Sequence, residues 1–400
     1  MTTTKTIRLA ALLTASIISA DLGLSQTSGA RNQAMGGTGV ASSNPQTAAF
    51  VNPAMIRHGA GDQGLSVVVP FVGVFAADQG DLADKIDGFQ DSLEAVKGLL
   101  NVGDLMGADA LRPTIANQLQ SLDGSSIDAL ASGGVGVVVP FDGLTVALGA
   151  RSYVDGRAIT FIDQADLDTI ANSIDPDDFD NLQSPAIVAA AAVTEFGVSL
   201  ATDFQVLGRD LTIGVTPKAQ TVETYNYAVS VSTFDAADAR DDFEDEQYRD
   251  SESGFNVDVG AAMDVADGLT AALSVQNLMS DTYQTVITAG RQFTYTVEPR
   301  PVLGLAYSGG GLTLTGDVEL LATSRFEEIA DSQFVRAGAE YDLLGWAQLR
   351  AGFAFDLEET QSDVLSAGFG LAPFETLRID LVGQLSDNGG GAGVQLALTF

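Results

Sequence analysis

Reactive chemistry has few places to reside in this chain. His58 is the only histidine, and it stands next to Arg57. An imidazole acting as a general base needs a nucleophile to activate and an acid to orient it. Nothing beside His58 supplies that set, so it reads as a structural residue. Cysteine is absent, which removes thiol nucleophiles, disulfides and thiolate metal sites. Carboxylates are plentiful, above all in the run Asp235 to Glu252 and the patch Asp175-Pro-Asp-Asp-Phe-Asp180. Either could attract a divalent cation, but neither has the regular ligand spacing and central glycine of a calcium loop. They read as solvated loops. The glycines Gly389 to Gly391 lack the lysine and following helix of a phosphate loop. The expectation is therefore a non-enzymatic protein with no cofactor and no metal.

The charged residues that remain follow an order. Arg151, Lys218, Asp258, Asp317, Glu319, Arg336, Glu340, Arg350, Arg378 and Asp380 each fall on the polar side of a segment in which apolar and small or polar residues alternate. Leu349, Ala351, Phe353 and Phe355 face away from Arg350, Gly352, Ala354 and Asp356. Leu377, Ile379, Leu381 and Leu385 face away from Arg378, Asp380, Val382 and Gln384. The same holds for Leu144 to Arg151, Leu211 to Thr216, Phe255 to Asp264 and Leu312 to Leu320. A period of two is the signature of strands, and lengths of about 9–11 residues suit a tilted strand crossing a bilayer.

The connections separate a membrane barrel from a soluble sandwich, which also alternates. Six are short: Asp142-Gly143, Leu207-Gly208, Asp267-Gly268, Ser308 to Gly311, Leu343 to Gly345 and Phe374 to Thr376. Longer ones fall at 78–131, 155–184, 230–253, 278–297, 322–332, 358–363 and 386–391. Short turns alternating with long loops are the periplasmic and external ends of an outer-membrane barrel. The count gives about 14 strands, an even number that places both termini in the periplasm. Phe141, Tyr307, Tyr341, Trp346, Phe374 and Phe400 cluster beside the short turns, as an aromatic girdle at the membrane interface would.

The chain ends in such a strand. Val394, Leu396, Leu398 and Phe400 lie on one side, with Gln395, Ala397 and Thr399 on the other. An apolar terminal edge invites aggregation in water, whereas in a barrel lipid covers the face and the first strand closes the edge. Leu396, Leu398 and Phe400 are read as the assembly signal offered to the barrel-insertion machinery. At the other end, Lys5, Arg8 and the apolar stretch Leu9 to Ile18 read as an export signal over 1–20, with Ala30 a second candidate cleavage point. The formal charge of −34 leaves no basic surface for a nucleic acid.

Two segments break the pattern. Within 78–131, Leu82, Ile86, Phe89, Leu93, Val96 and Leu100 have helical spacing, and Leu111 to Leu122 continues it. This predicts a helical external insert that caps the barrel mouth or folds into the lumen. Before the first strand stand Met35-Gly-Gly-Thr-Gly39 and Asn52-Pro53-Ala54, a set of backbone turns rather than regular structure. That spacing resembles the FadL-like family of outer-membrane porins for fatty acids and hydrocarbons. The resemblance implies an N-terminal hatch over 21–63, marked by Gly36, Gly37, Gly39, Asn52, Pro53 and Ala54, inside a barrel over 64–400. Within that superfamily the chain is most similar to the branch named conjugal transfer protein TraF, through Asp84-Lys-Ile-Asp-Gly-Phe-Gln-Asp91 in the helical insert. Two functions follow as expectations. One is passage of small hydrophobic molecules across the outer membrane, released by a movement around Asn52-Pro53. The other is an accessory role in envelope assembly, secretion or conjugal transfer.

Overall fold

The computed structural model describes residues 29–58, 64–206, 208–234, 243, 245–328, 331–374 and 376–400. The segment read as an export signal, the ends of the hatch segment and half of the acidic run, residues 235–242 and 244, lie outside them. Within them the chain is a closed antiparallel barrel of 14 strands, with β1 hydrogen-bonded to the last strand. No helix is long and apolar enough to cross a membrane.

Three short helices precede the barrel: α1 Ala30–Ala34, α2 Pro45–Ala48 and α3 Met55–His58. Strand β1 Ser66–Gln79 leads into α4 Leu82–Asn101 and α5 Leu105–Leu122. The tall strands follow as β2 Ser126–Phe141, β3 Leu144–Thr160, β4 Pro185–Val206, β5 Arg209–Ser230 and β6 Arg249–Ala266, with α6 Gln164–Asn172 between β3 and β4. After β7 Leu269–Gln276, a hairpin of β8 Asp281–Gln284 and β9 Thr294–Val297 forms a separate two-stranded sheet. The barrel closes with β10 Arg300–Gly309, β11 Leu312–Glu319, β12 Phe334–Asp342, β13 Ala347–Asp356, β14 Val364–Phe374, β15 Leu377–Ser386 and β16 Gly389–Thr399.

The alternation assigns faces as expected. Leu349, Phe353, Phe355, Leu381 and Leu396 are exposed on the outside, while Arg350, Asp356, Asp380 and Gln395 are buried in the lumen. A water-soluble protein does not leave so continuous an apolar belt open, and a bilayer covers it. The six girdle aromatics are all exposed at the short-turn end.

Three expectations need correction. The strands are not uniformly about 9–11 residues long. β7 and β10 to β16 run 8 to 11, but β2 and β3 have 16 and 17, and β4 and β5 have 22 each. The connection expected over 386–391 is a two-residue turn, Asp387-Asn388, between β15 and β16. The insert is narrower than 78–131, since 78–79 and 126–131 are strand, and its second helix starts at Leu105 rather than Leu111.

The insert also sits elsewhere than expected. Its buried stripe, Leu82, Ile86, Phe89, Leu93 and Val96, shares a core with Ala131, Val154, Val188, Ala190 and Ala192. Those strand residues have the same parity as Phe196 and Val198, which face outward and are exposed. The helices therefore cover the outer face of the tall wall, neither capping the mouth nor entering the lumen. On the inner face, Ile187, Ala189, Ala191 and Val193 pack against Tyr283, Phe293, Tyr295 and Val297 of the β8–β9 hairpin. One stretch of β4 is thus buried on both sides, between helices and hairpin.

Candidate functional site

The lumen holds the only constellation in the described residues that joins the sequence motifs to the buried charges. Its floor is the hatch, residues 29–58, threaded through the barrel. Helix α1 is followed, after Met35, by Gly36 and Gly37, both left-handed with φ of 71° and 83°, a conformation that a side chain strains. The chain then turns so that the amides of Gly39 and Val40 both donate to Asp317 Oδ2, at 2.8 and 3.0 Å. Asn52 closes the second loop: its Nδ2 donates to the Val40 carbonyl at 2.8 Å, and its Oδ1 accepts from the Ala54 amide at 3.1 Å. Gly36, Gly37, Gly39, Asn52, Pro53 and Ala54 thus belong to one plug.

The wall is shaped to receive it. A Cβ at Gly352 would fall 1.9 Å from the Gly36 nitrogen, one at Gly260 would fall 1.8 Å from Asn52 Oδ1, and one at Gly214 would fall 2.3 Å from the Ala54 nitrogen. Inward-facing glycine in mid-strand marks close backbone approach, and here the hatch backbone is what approaches. Phe50 enters an aromatic contact with Phe71 of β1, ring centres 5.6 Å apart. At the periplasmic end, Arg57 pairs with Asp203 and His58 Nε2 lies 3.1 Å from Asp264. That is the structural use expected of the histidine.

Eight of the ten charges expected on the lumen side fall into three ion networks. Arg31 donates from Nε and Nη2 to both oxygens of Glu340, each at 2.9 Å. Glu340 also accepts from Arg350 at 2.6 Å, and Arg350 lies 2.8 Å from Asp380. Glu319 accepts from Arg300 at 3.0 Å and from Arg336 at 2.7 Å. Glu195 pairs with Arg151 and Lys218, and Lys218 with Asp258. Burial opposes the charge on Arg31, but the facing Glu340 carboxylate outweighs it and holds the guanidinium above its ordinary value. Arg378, on the lumen side of β15, makes no ion pair among those in the described residues.

The sequence marks the hatch motif and the lumenal charges as separate sets, which the structure joins, and it does not mark Arg31, Glu195 and Arg300, which complete the networks. Arg31 lay inside the glycine motif with no visible partner. Glu195 follows an unbroken apolar run in which alternation fails. Arg300 stands at the edge of a long loop. The parity of the mid-strand glycines was visible and could have located the seat.

Small chambers lie above and around the hatch. One of about 100 Å³ touches Gly36 and Gly37 and is lined by Phe75, Leu130, Phe334 and Val364, with Arg300, Arg325 and Arg336 at its polar side. A second of about 40 Å³ lies on the other side of Gly37, against Val40, Val51 and Asp317. A third of about 50 Å³ sits beneath the β8–β9 hairpin, against Arg151, Tyr153 and Tyr295. The hatch from below and the hairpin from above therefore both occupy the lumen. Among the described residues no group of His, Asp or Glu is arranged to hold a metal ion.

The sequence profile of the family described as "F plasmid transfer operon, TraF, protein" matches residues 49–319. Among solved structures, the Ralstonia pickettii toluene transporter TbuX aligns with a TM-score of 0.57 at 13% identity, over 93% of this chain and 98% of that one. A Pseudomonas aeruginosa FadL homologue gives 0.54 at 12% identity, over 95% and 99%. The P. putida toluene transporter TodX gives 0.53 at 13%, over 95% and 99%. At these identities the likeness concerns the fold alone, a closed antiparallel barrel. No curated protein matches by sequence.

Proposed function

The chain belongs to the family described as "F plasmid transfer operon, TraF, protein", and on that premise we propose that it is an integral outer-membrane barrel that binds small hydrophobic molecules above its hatch and passes them inward. The observation that carries this reading is the chamber of about 100 Å³ at Gly36 and Gly37, walled by Phe75, Leu130, Phe334 and Val364. Its size is of the order of the apolar cavity of about 150 Å³ that takes up benzene. The toluene transporters whose fold this chain shares are named for a ligand of that size.

The reading carries its own division of the chain: export signal 1–20, hatch 21–63 and barrel 64–400. Leu396, Leu398 and Phe400 act as the assembly signal in it, with membrane lipid and the insertion machinery as partners. The protein acts without catalysis, and its lumenal charges hold the hatch in place instead of transforming a substrate. The alternative, an accessory of envelope assembly, secretion or conjugal transfer, rests on the family description.

Titration of the detergent-purified protein with toluene and with a series of fatty acids tests the reading. Saturable binding by calorimetry, lost when Val364→Trp fills the chamber, is the expected result. Absence of saturable binding, or binding unchanged in V364W, overturns it. Recovery of stoichiometric protein partners from native membranes would favour the accessory role.

A further inference from the structure

The chamber at Gly36 and Gly37 has a lining at odds with the composition of the chain. Acidic residues outnumber basic ones 53 to 19 over the sequence. Yet among the described residues three guanidiniums, those of Arg300, Arg325 and Arg336, and no carboxylate line this chamber of about 100 Å³. Arg325 donates through Nη1 to Asp155 at 2.8 Å, and Arg336 through Nη1 to Glu319 at 2.7 Å. A guanidinium carries five N–H groups in a planar fork, so one such contact leaves it able to take a second acceptor. Both carboxylates lie outside the chamber lining, and Asp317 faces the other chamber across Gly37, where the Gly39 and Val40 amides hold it. A further group points to a ligand. Ser366 of β14 lines the chamber together with Val364 and is 1% exposed. Its Oγ has no hydrogen-bond partner among the described residues. A buried hydroxyl left unsatisfied costs stability and calls for a physical reason.

We propose that this chamber selects a small aromatic carboxylate, with the ring on the apolar wall and the carboxylate received by Arg325, Arg336 and Ser366. A bare hydrocarbon covers the apolar part, but it strips water from the guanidiniums and offers Ser366 no acceptor, both unfavourable. Acetate or an inorganic anion answers the donors and leaves Phe75, Leu130, Phe334 and Val364 uncovered. A long-chain fatty acid has a suitable head group, but its tail outgrows a chamber on the scale of a single ring. A one-ring acid meets both demands. Its ring buries apolar surface, and a carboxylate matches the planar fork of a guanidinium. Hydrogen bonds between the two charged groups are roughly twice as strong as those between neutral ones.

This inference rests on the reading of the chamber as the ligand site, and the choice of probes lets the two fail separately. Calorimetric titrations of the detergent-purified, heat-modifiable protein compare benzoate with toluene, benzyl alcohol, acetate and a long-chain fatty acid. Benzoate should bind at least about tenfold more tightly than toluene or benzyl alcohol, the margin of a charge-assisted hydrogen bond. Acetate and the long-chain acid should also bind more weakly than benzoate. The ratio of benzoate to toluene affinity should fall at least about tenfold in Arg336→Gln and about threefold in Ser366→Ala. Ser366 Oγ has no protein partner to lose, so S366A should unfold no more readily than wild type, and it carries the test if R336Q fails to assemble. Toluene, benzyl alcohol, acetate or the long-chain acid binding as tightly as benzoate overturns the assignment, as does an affinity ratio unchanged in S366A. Toluene alone saturating the site would do so while leaving the channel reading in place. Saturation by none of the five overturns both.

Discussion

The wall from β2 to β5 and the wall from β10 to β16 belong to one sheet, hydrogen-bonded strand to strand around the barrel, yet they end at different heights. In the low wall each strand is about as long as a bilayer requires. Its outer face meets lipid and its inner face meets charge, so Leu381 is exposed while the neighbouring Asp380 is fully buried. In the tall wall the same parity continues upward until lipid ends and protein begins. Phe196 is 63% exposed, whereas Ala192 is 8% and Ala190 1% exposed, because α4, α5 and the following loop cover them. The low wall is a membrane surface. The tall wall, above the membrane, is the middle layer of a helix–sheet–hairpin sandwich with its own dry core. What distinguishes the two is what lies against each face, more than the strands themselves.

The comparison breaks most visibly at the sandwich core. Phe89 in α4 is fully buried, and Phe89→Ala should cost about 3–5 kcal/mol of the stability of that layer. Limited proteolysis should then nick residues 80–125 while the barrel keeps its heat-shifted gel mobility. If F89A abolished the heat-modifiable form, the tall wall would be integral to barrel closure and the two-region picture would fall. The low wall has its own sensitive position. Leu381→Arg, facing lipid, should cost about 2–4 kcal/mol if it lies near the midplane, measured by refolding into lipid vesicles. Tolerance of Arg at Leu381 equal to that at an exposed loop position such as Leu278 would remove the lipid-facing assignment.

The same contrast explains what the sequence disclosed. Where one face meets lipid and the other a charged lumen, residue type tracks direction, and the low wall from Leu312 to Phe400 could be read strand by strand. The run Ala186 to Val193 defeats that reading, since both its faces are buried and nothing polar marks either. By its length alone the run says only that it is too short for a spanning helix. The stripe Leu82, Ile86, Phe89 announced a helix with one buried side but not what it is buried against, so its place on the outer wall stayed hidden. In the hatch, Gly36, Gly39 and Asn52-Pro53 announced unusual backbone by type alone. Their partners, Phe353, Gly260 and Asp317, lie some 200 to 300 residues away, and no local pattern encodes such a pairing.

The smallest effect lies at the seam between insert and tall wall, where Lys97 of α4 pairs with Asp180 at 2.6 Å and Glu94 at 2.9 Å. Both carboxylates are well exposed, so solvent screens the pairing and Lys97→Ala should cost less than about 1 kcal/mol. Its pH dependence identifies it. The hydrogen bond to Asp180, then that to Glu94, raises the lysine above its ordinary value. A group whose pKa is higher folded than unfolded stabilises fully below its unfolded pKa, about 10.4 for lysine. That contribution is lost as pH rises through the higher folded value. The difference between wild type and K97A, measured as the protease susceptibility of residues 80–125, should therefore be constant from pH 7 to 9 and fade above about pH 11. It should also shrink as salt screens the pair. A difference that grew with pH, or one larger than that of F89A, would mean that the insert is held to the tall wall by charge. The sandwich would then be an electrostatic attachment instead of a packed core.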